Sequence, residues 1–480
     1  VKNLLSGTVV YGLGQVLNKM ISFLLLPFFT ALLTPSDYGI ISTISLYTLM
    51  LSSVFAFGNG AALGLVYFAQ DTNDKRKKVI VSALAMLAFS SVIALFLTYV
   101  FREQVSTLLF HANYSNLLMM SAISALVSMV SSPILLWMQF EKKALPFVVF
   151  NTLMVLATVV LNIYFVKYKQ MGVQGYLLGT LIGSAVAVGM QIAYYFFVQK
   201  FGGISILYIK QMLKHGFPLI LSFIFLYVIQ NAPRYFVQEF HGLATAGIFS
   251  IGFTLATVIS LCTSAFQTAY YPFMMSFMEK PQEAEEGISR VFSQVVTAFC
   301  ILLSCTFLLA PLAVDVVTDN RYFAAYKVVG LCATGWVCSM LFSTMQAGLY
   351  YTQRLSVINY PQIIASIVAL LLGFILISNA SLYAASFVFF AANAAMLLSM
   401  HLINRKLHLS RFYSRYLRSN ALDVVLLLAA ALTSAIAMEF SPKVSYLLPL
   451  LAGIYLFYYY INNKALVMSG VNALRKKVYA

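Results

Sequence analysis

LTPSDYGIISTIS at residues 33–45 and GLATAGIFSIGFT at 242–254 decide how this chain is built. Each follows a long apolar run, specifies a turn and then a helix start, and carries a glycine near that start. Aligning Gly39 with Gly247 gives an offset of 208 residues. The offset nearly recurs downstream, where Lys143 in QFEKKALPFV pairs with Arg354 in YYTQRLSVIN at 211. The turn before the sixth apolar run, GVQGYLLGT, matches ASLYAASF before the twelfth at a similar spacing. Self-similarity at a fixed interval is the sequence mark of a repeated architecture.

The surrounding composition says what is repeated. Of 480 residues 61% are hydrophobic and only 9% charged, with a mean hydropathy of +0.88, which excludes a soluble enzyme. Fourteen apolar segments reach about 20 residues, the length that crosses a hydrocarbon core roughly 30 Å thick. The first runs from Leu4 to Leu33, too long for a signal-peptide core, and reads as a retained membrane helix. Without strand alternation, helices are favoured over a barrel. Because the offset spans six segments, an even number, the two copies share one orientation and are parallel repeats about an axis along the membrane normal. The expected fold is an all-α integral membrane protein of 14 transmembrane helices, with two six-helix lobes facing a central cavity. The lobes are placed at 1–198 and 216–404, joined by a cytoplasmic amphipathic linker at 199–215. A basic cytoplasmic segment, helices 13 and 14 and a basic tail fill 405–480.

Thirty Lys and Arg against 14 Asp and Glu give a net charge of +16. With the N-terminus in the cytoplasm, 22 of the thirty fall on the cytoplasmic side, among them the KRKK run at 75–78, and six on the other. This is the positive-inside pattern, and it predicts that both termini are cytoplasmic. The charge is therefore topological, and no nucleic-acid partner is expected. The five cysteines lie in apolar runs without ligand spacing and read as buried small hydrophobes, so no metal or cofactor is expected.

Two cations remain inside spans, Lys19 in the first and Arg234 in the seventh, the leading helices of the two repeats. A charge near the bilayer centre costs about 2.5–3.5 kcal/mol and usually faces a wet cavity or a partner. Gln15 and Asn18 accompany Lys19, and Gln230 and Asn231 accompany Arg234, at spacings that form polar stripes. Asn59, Gln139, Gln267 and Gln346 are weaker cavity candidates. No acid falls at a span centre, so a cavity built this way suits an anion rather than a cation. Moving negative charge outward is favoured by an inside-negative potential, by about 2.3 kcal/mol per charge per 100 mV, and lysine and arginine both bind phosphates. A primary pump is disfavoured because the chain has no GxxxxGK[ST] loop. A membrane glycan polymerase or glycosyltransferase is disfavoured because the longest outer loop, near 102–116, has only Arg102, Glu103 and His111 as ionisable groups.

SFLLLPFFTALLTPSDYGI at 22–40 and NAPRYFVQEFHGLATAGIFS at 231–250 resemble the polysaccharide-unit (Wzx-type) flippases of the multidrug/oligosaccharidyl-lipid/polysaccharide exporter superfamily. The resemblance implies a V-shaped exporter, not an enzyme, in the bacterial plasma (inner) membrane. Such a protein carries an undecaprenyl-diphosphate-linked oligosaccharide, an O-antigen or other surface polysaccharide unit, to the outer leaflet by alternating access without ATP. It also implies membrane lipids, a polysaccharide polymerase and chain-length proteins as partners, and Lys19 and Arg234 as cavity cations. One departure is Pro233, which stands where the family often has an acid before the arginine. Fourteen spans also resemble the lipid II flippase branch, whose extra cations are not evident here. A multidrug/cation antiporter of the same superfamily is the runner-up, disfavoured by the missing deep carboxylate.

Overall fold

The computed structural model describes residue 21 and residues 25–414, apart from 200, 278–280, 353 and 381. Lys19, Gln15 and Asn18, the thirteenth and fourteenth expected spans and the basic tail lie outside the described residues. Those described form helices and turns, with no strand among them. In chain order the helices are α1 Leu26–Leu32, α2 Pro35–Phe55, α3 Asn59–Phe68, α4 Asn73–Phe110, α5 Ser115–Phe140, α6 Ala144–Ile163 and α7 Gly172–Gln199. There follow α8 Ile206–Met275, α9 Pro281–Val317, α10 Tyr326–Thr344, α11 Ala347–Tyr351, α12 Asn359–Ile377, α13 Leu382–Lys406 and α14 Arg411–Ser414.

Nine stretches of the described residues are long and apolar enough to cross a membrane. One is the 70-residue α8, which bends at Gly242 (φ 81°) and so holds the seventh and eighth expected spans. The 37-residue α9 covers the ninth. Spans two to twelve thus each coincide with helix, while the total of fourteen rests partly on residues outside those described.

Local chemistry explains where these helices begin and break. TPSD at 34–37 forms a capping box: the Asp37 backbone N–H donates to Thr34 Oγ1 at 3.2 Å, and the Thr34 N–H to Asp37 Oδ2 at 2.8 Å. Pro35 stands in the first turn, where a missing N–H costs nothing. The second span, expected to be one helix over 39–69, is broken instead. Phe57 (φ 49°) and Gly58 (φ 61°) are both left-handed, which glycine tolerates freely and which ends α2. The Ser90 hydroxyl donates to the Phe55 carbonyl at 3.0 Å beside the break. Within the linker, helix starts at Ile206 and continues without interruption into the seventh span. Tyr208, Ile209, Met212 and Leu213 pack into the first half's core, and Tyr208 donates to Gln70 Oε1 at 3.1 Å. The cysteines are not uniformly core residues either, for Cys332 is buried but Cys262 is exposed.

Successive helices run up and down. The connections bearing Lys75–Lys78, Lys142 and Lys143 therefore share one end, here termed the basic end, and those near His111, Gly242 and Asp319 share the far end. Each half has its own apolar core at the basic end, one around Leu63, Leu87, Trp137 and Tyr195, the other around Tyr270, Phe292, Met396 and Phe412. At the far end a core is shared, joining Leu26 and Tyr38 to Ile251, Leu255, Val314 and Tyr322.

The two motifs quoted first meet there. A Cβ on Gly39 would lie 2.0 Å from the Leu243 carbonyl oxygen, and one on Gly247 only 1.9 Å from that of Pro35. Leu243 and Pro35 are themselves 208 residues apart, so the contact is reciprocal, as between two copies about a two-fold axis. Beside it, the 3₁₀ turn Asn320–Ala325 grips the C-terminal end of α1, where carbonyls lack helical partners. Arg321 Nη2 donates to Thr30 O at 3.0 Å and Ala31 O at 3.2 Å. Tyr322 donates its hydroxyl to Leu33 O at 3.0 Å. Asp319 orients the guanidinium from 2.8 Å, and this pairing holds its carboxyl below the usual carboxylate range.

Candidate functional site

A cavity of about 530 Å³ lies between the halves toward the far end. Most of its wall comes from the first half. Ser42 and Ser45 come from α2, Ser124 and Ser128 from α5, Asn151, Thr158 and Asn162 from α6, and Thr180 and Ser184 from α7. The second half supplies Arg234, Ser250 and Thr254, all from α8. Among the described residues, Arg234 is the sole charged residue of the lining, and no carboxylate pairs with it. Its guanidinium lies 5.7 Å from the Phe253 ring centroid, a cation–π contact that leaves its fork of N–H donors available.

The hydroxyl wall is tied together across helices. Ser124 and Ser184 lie 3.1 Å apart, and Asn162 Nδ2 donates to Thr180 Oγ1 at 3.3 Å. Such bonds hold helices at fixed spacing in an apolar surrounding while leaving lone pairs for a visitor. The arrangement offers many neutral donors and acceptors and one fixed positive charge. It suits a hydroxyl-rich molecule bearing an anionic group.

Among the expected site residues, Arg234 lines this cavity. Its stripe companions do not. Asn231 is buried and donates to Tyr227 O at 2.9 Å in its own helix, and Gln230 lies off the cavity wall. Tyr227 and Gln238, from the same stripe, join the halves: Tyr227 donates to Leu46 O at 3.0 Å, and Gln238 bonds Thr43 and Leu109 O. The stripe is thus largely an interface, because a helix at the seam turns its polar face to the neighbouring lobe. Asn59 and Gln139 line a second cavity, of about 590 Å³, toward the basic end. Gln267 and Gln346 line neither of the two.

The hydroxyls were missed in the sequence, yet a signal exists. Ser124/Ser128, Thr158/Asn162, Thr180/Ser184 and Ser250/Thr254 are each one helical turn apart, on four different helices. A single serine in a span can bond its own i−4 carbonyl and carries little information. Repeated pairs mark a shared wet face.

A family model described as polysaccharide biosynthesis protein matches residues 4–278, more than half of the chain. The chain belongs to the polysaccharide biosynthesis protein family. No curated protein matches it. Among solved structures, this family member is similar to "Lipid II flippase MurJ, inward closed conformation", with TM-score 0.64 and 12% identity, covering 96% of this chain and 100% of that one. It is similar too to an inward-facing multidrug resistance MATE family transporter of the MOP superfamily, with TM-score 0.60 and 14% identity over 82% of this chain and 95% of that one. An outward-facing form of such a transporter gives TM-score 0.57 and 14% identity, over 86% and 96%. At these identities the likeness is one of fold. The polysaccharide biosynthesis protein shares with these transporters a multi-pass helical fold.

Proposed function

We propose that the chain is a flippase that moves an undecaprenyl-diphosphate-linked oligosaccharide, an O-antigen or similar surface polysaccharide unit, from the cytoplasmic to the outer leaflet of a bacterial plasma membrane. Transport proceeds by alternating access without ATP, with the basic end in the cytoplasm. The observation that carries this reading is the lining of the far cavity, which among the described residues holds one arginine amid neutral hydroxyls and amides, with no acid. Arg234 bonds the diphosphate or an acidic sugar, and the Ser, Thr and Asn side chains meet the glycan. A cation antiporter needs a carboxylate at depth, and a site with a lone arginine repels its cargo. Lys19 is proposed as the first half's counterpart to Arg234.

In proteoliposomes, the wild-type chain is expected to move a diphosphate-linked oligosaccharide lipid between leaflets without nucleotide. Arg234→Ala should lower the rate at least about 100-fold, as loss of a charge-assisted bidentate contact of roughly 3 kcal/mol implies. A strict ATP requirement, or full activity of Arg234→Ala in correctly folded protein, overturns the proposal.

A further inference from the structure

We propose that the cavity toward the basic end is a second, uncharged subsite that takes a neutral, polyhydroxylated sugar of the cargo through Asn59 and Gln139. The inference rests on the reading that the cargo carries a glycan.

The site is built by two interruptions of helix. Pro133 stands inside α5 and has no N–H, so the carbonyl four residues earlier, on Met129, loses its helical donor. The hydroxyl of Ser132 takes that role, donating to Met129 O at 2.7 Å. Ser132 Oγ then accepts from Asn59 Nδ2 at 3.0 Å. This chain of bonds fixes which way the Asn59 amide faces, because its nitrogen is committed. Asn59 itself sits just after the left-handed break at Phe57 and Gly58, which brings the first turn of α3 to the cavity wall.

What remains is an acceptor without a donor. Asn59 is only 5% exposed, and its Oδ1 has no hydrogen-bond partner. A buried acceptor left in this way is costly; it is closed to water in this structure, and a ligand hydroxyl that displaces the wall enough to reach it relieves that cost. Gln139, exposed about two turns along α5 from Ser132, adds an amide with both donor and acceptor capacity. Phe147 and Phe223 supply apolar faces. Among the described residues, no charged one lines the cavity, and none of these compensates the desolvation of a diphosphate. O–H donors together with apolar C–H faces are the two properties that a neutral sugar ring presents. The volume lies within the range of small-molecule sites.

The test uses the full chain in lipid nanodiscs and two probes, undecaprenyl diphosphate alone and undecaprenyl diphosphate carrying a neutral trisaccharide. For the wild type, the trisaccharide is expected to strengthen binding about tenfold, as one or two net hydrogen bonds imply. Gln139→Leu and Asn59→Leu should each remove most of that gain and leave binding of the bare diphosphate lipid unchanged. Arg234→Ala should weaken both probes alike and keep the gain. Should Asn59→Leu fail to fold, the exposed Gln139→Leu decides alone. A gain that survives Gln139→Leu undiminished overturns the subsite. Equal binding of both probes by the wild type overturns the subsite and leaves the flippase reading standing, whereas binding of neither overturns both.

Discussion

At the far end, residues of the second half reach across and hold the first: Arg321 and Tyr322 on the carbonyls of Thr30, Ala31 and Leu33, Gln238 on Leu109, and Gly247 against Pro35. At the basic end each half closes over its own apolar core, and the start of α8 is the main bridge to the first half. Among the described residues, the links between the halves thus differ in kind at the two ends. The difference also shows how such a seam can open. Beside the shared apolar core, the far end is held by hydrogen bonds from hydroxyl, amide and guanidinium groups, which water can replace, and each is worth only about 0.5–1.5 kcal/mol net. The lobes' interiors are apolar and stay whole.

Breaking the glycine contact should have the largest effect. A leucine at position 39 cannot fit where even a Cβ lies 2.0 Å from the Leu243 oxygen. Gly39→Leu is expected to abolish transport and to cut disulfide crosslinking between Ala31→Cys and Asn320→Cys at least about tenfold, a loss of roughly 1–3 kcal/mol from overpacking. Normal crosslinking would mean that the halves do not meet through this pair. Arg321→Ala comes next. It removes two bonds to α1 carbonyls and the Asp319 pair, and its partial exposure limits the cost to roughly 1–2 kcal/mol. The far end should open about 5- to 30-fold more often, read as faster labelling of Leu33→Cys, a position buried when the halves are joined, by an impermeant thiol reagent with the exposed Cys262 replaced. Unchanged labelling would remove this contact from the gate.

Acidity should matter least. Arg321 depresses the Asp319 carboxyl when the halves are joined, so the contact is fully present above the free carboxyl's value of about 3.9. It is lost only as pH falls through the lowered value. Labelling at pH 8 and pH 5.5 is expected to be the same, with a rise only below about pH 4. A rise already at pH 5.5 would show that the Asp319–Arg321 pair does not set the acid response of the far end.

The helices were legible because long apolar runs leave the backbone no other way to satisfy itself in lipid. The start of α2 was legible from TPSD, and Arg234 from its isolation. The break at Phe57 and Gly58 was not, since a glycine inside an apolar run is often tolerated without consequence. Linker and seventh span merged because the linker's Ile209, Met212 and Leu213 found a core to pack on, which is tertiary information. Arg321 looked like one of six stray outer charges. Its role depends on carbonyls almost 300 positions earlier in the chain.

A glycine that meets the equivalent of its own neighbour is what a protein of half this length would show if it paired with an identical copy. In such a pair one substitution would alter both sides at once, so the two halves could not specialise. Joining them in one chain removes that constraint. Here the first half carries most of the hydroxyl wall while the second contributes the arginine, a division of labour that no symmetric pair of identical subunits could hold.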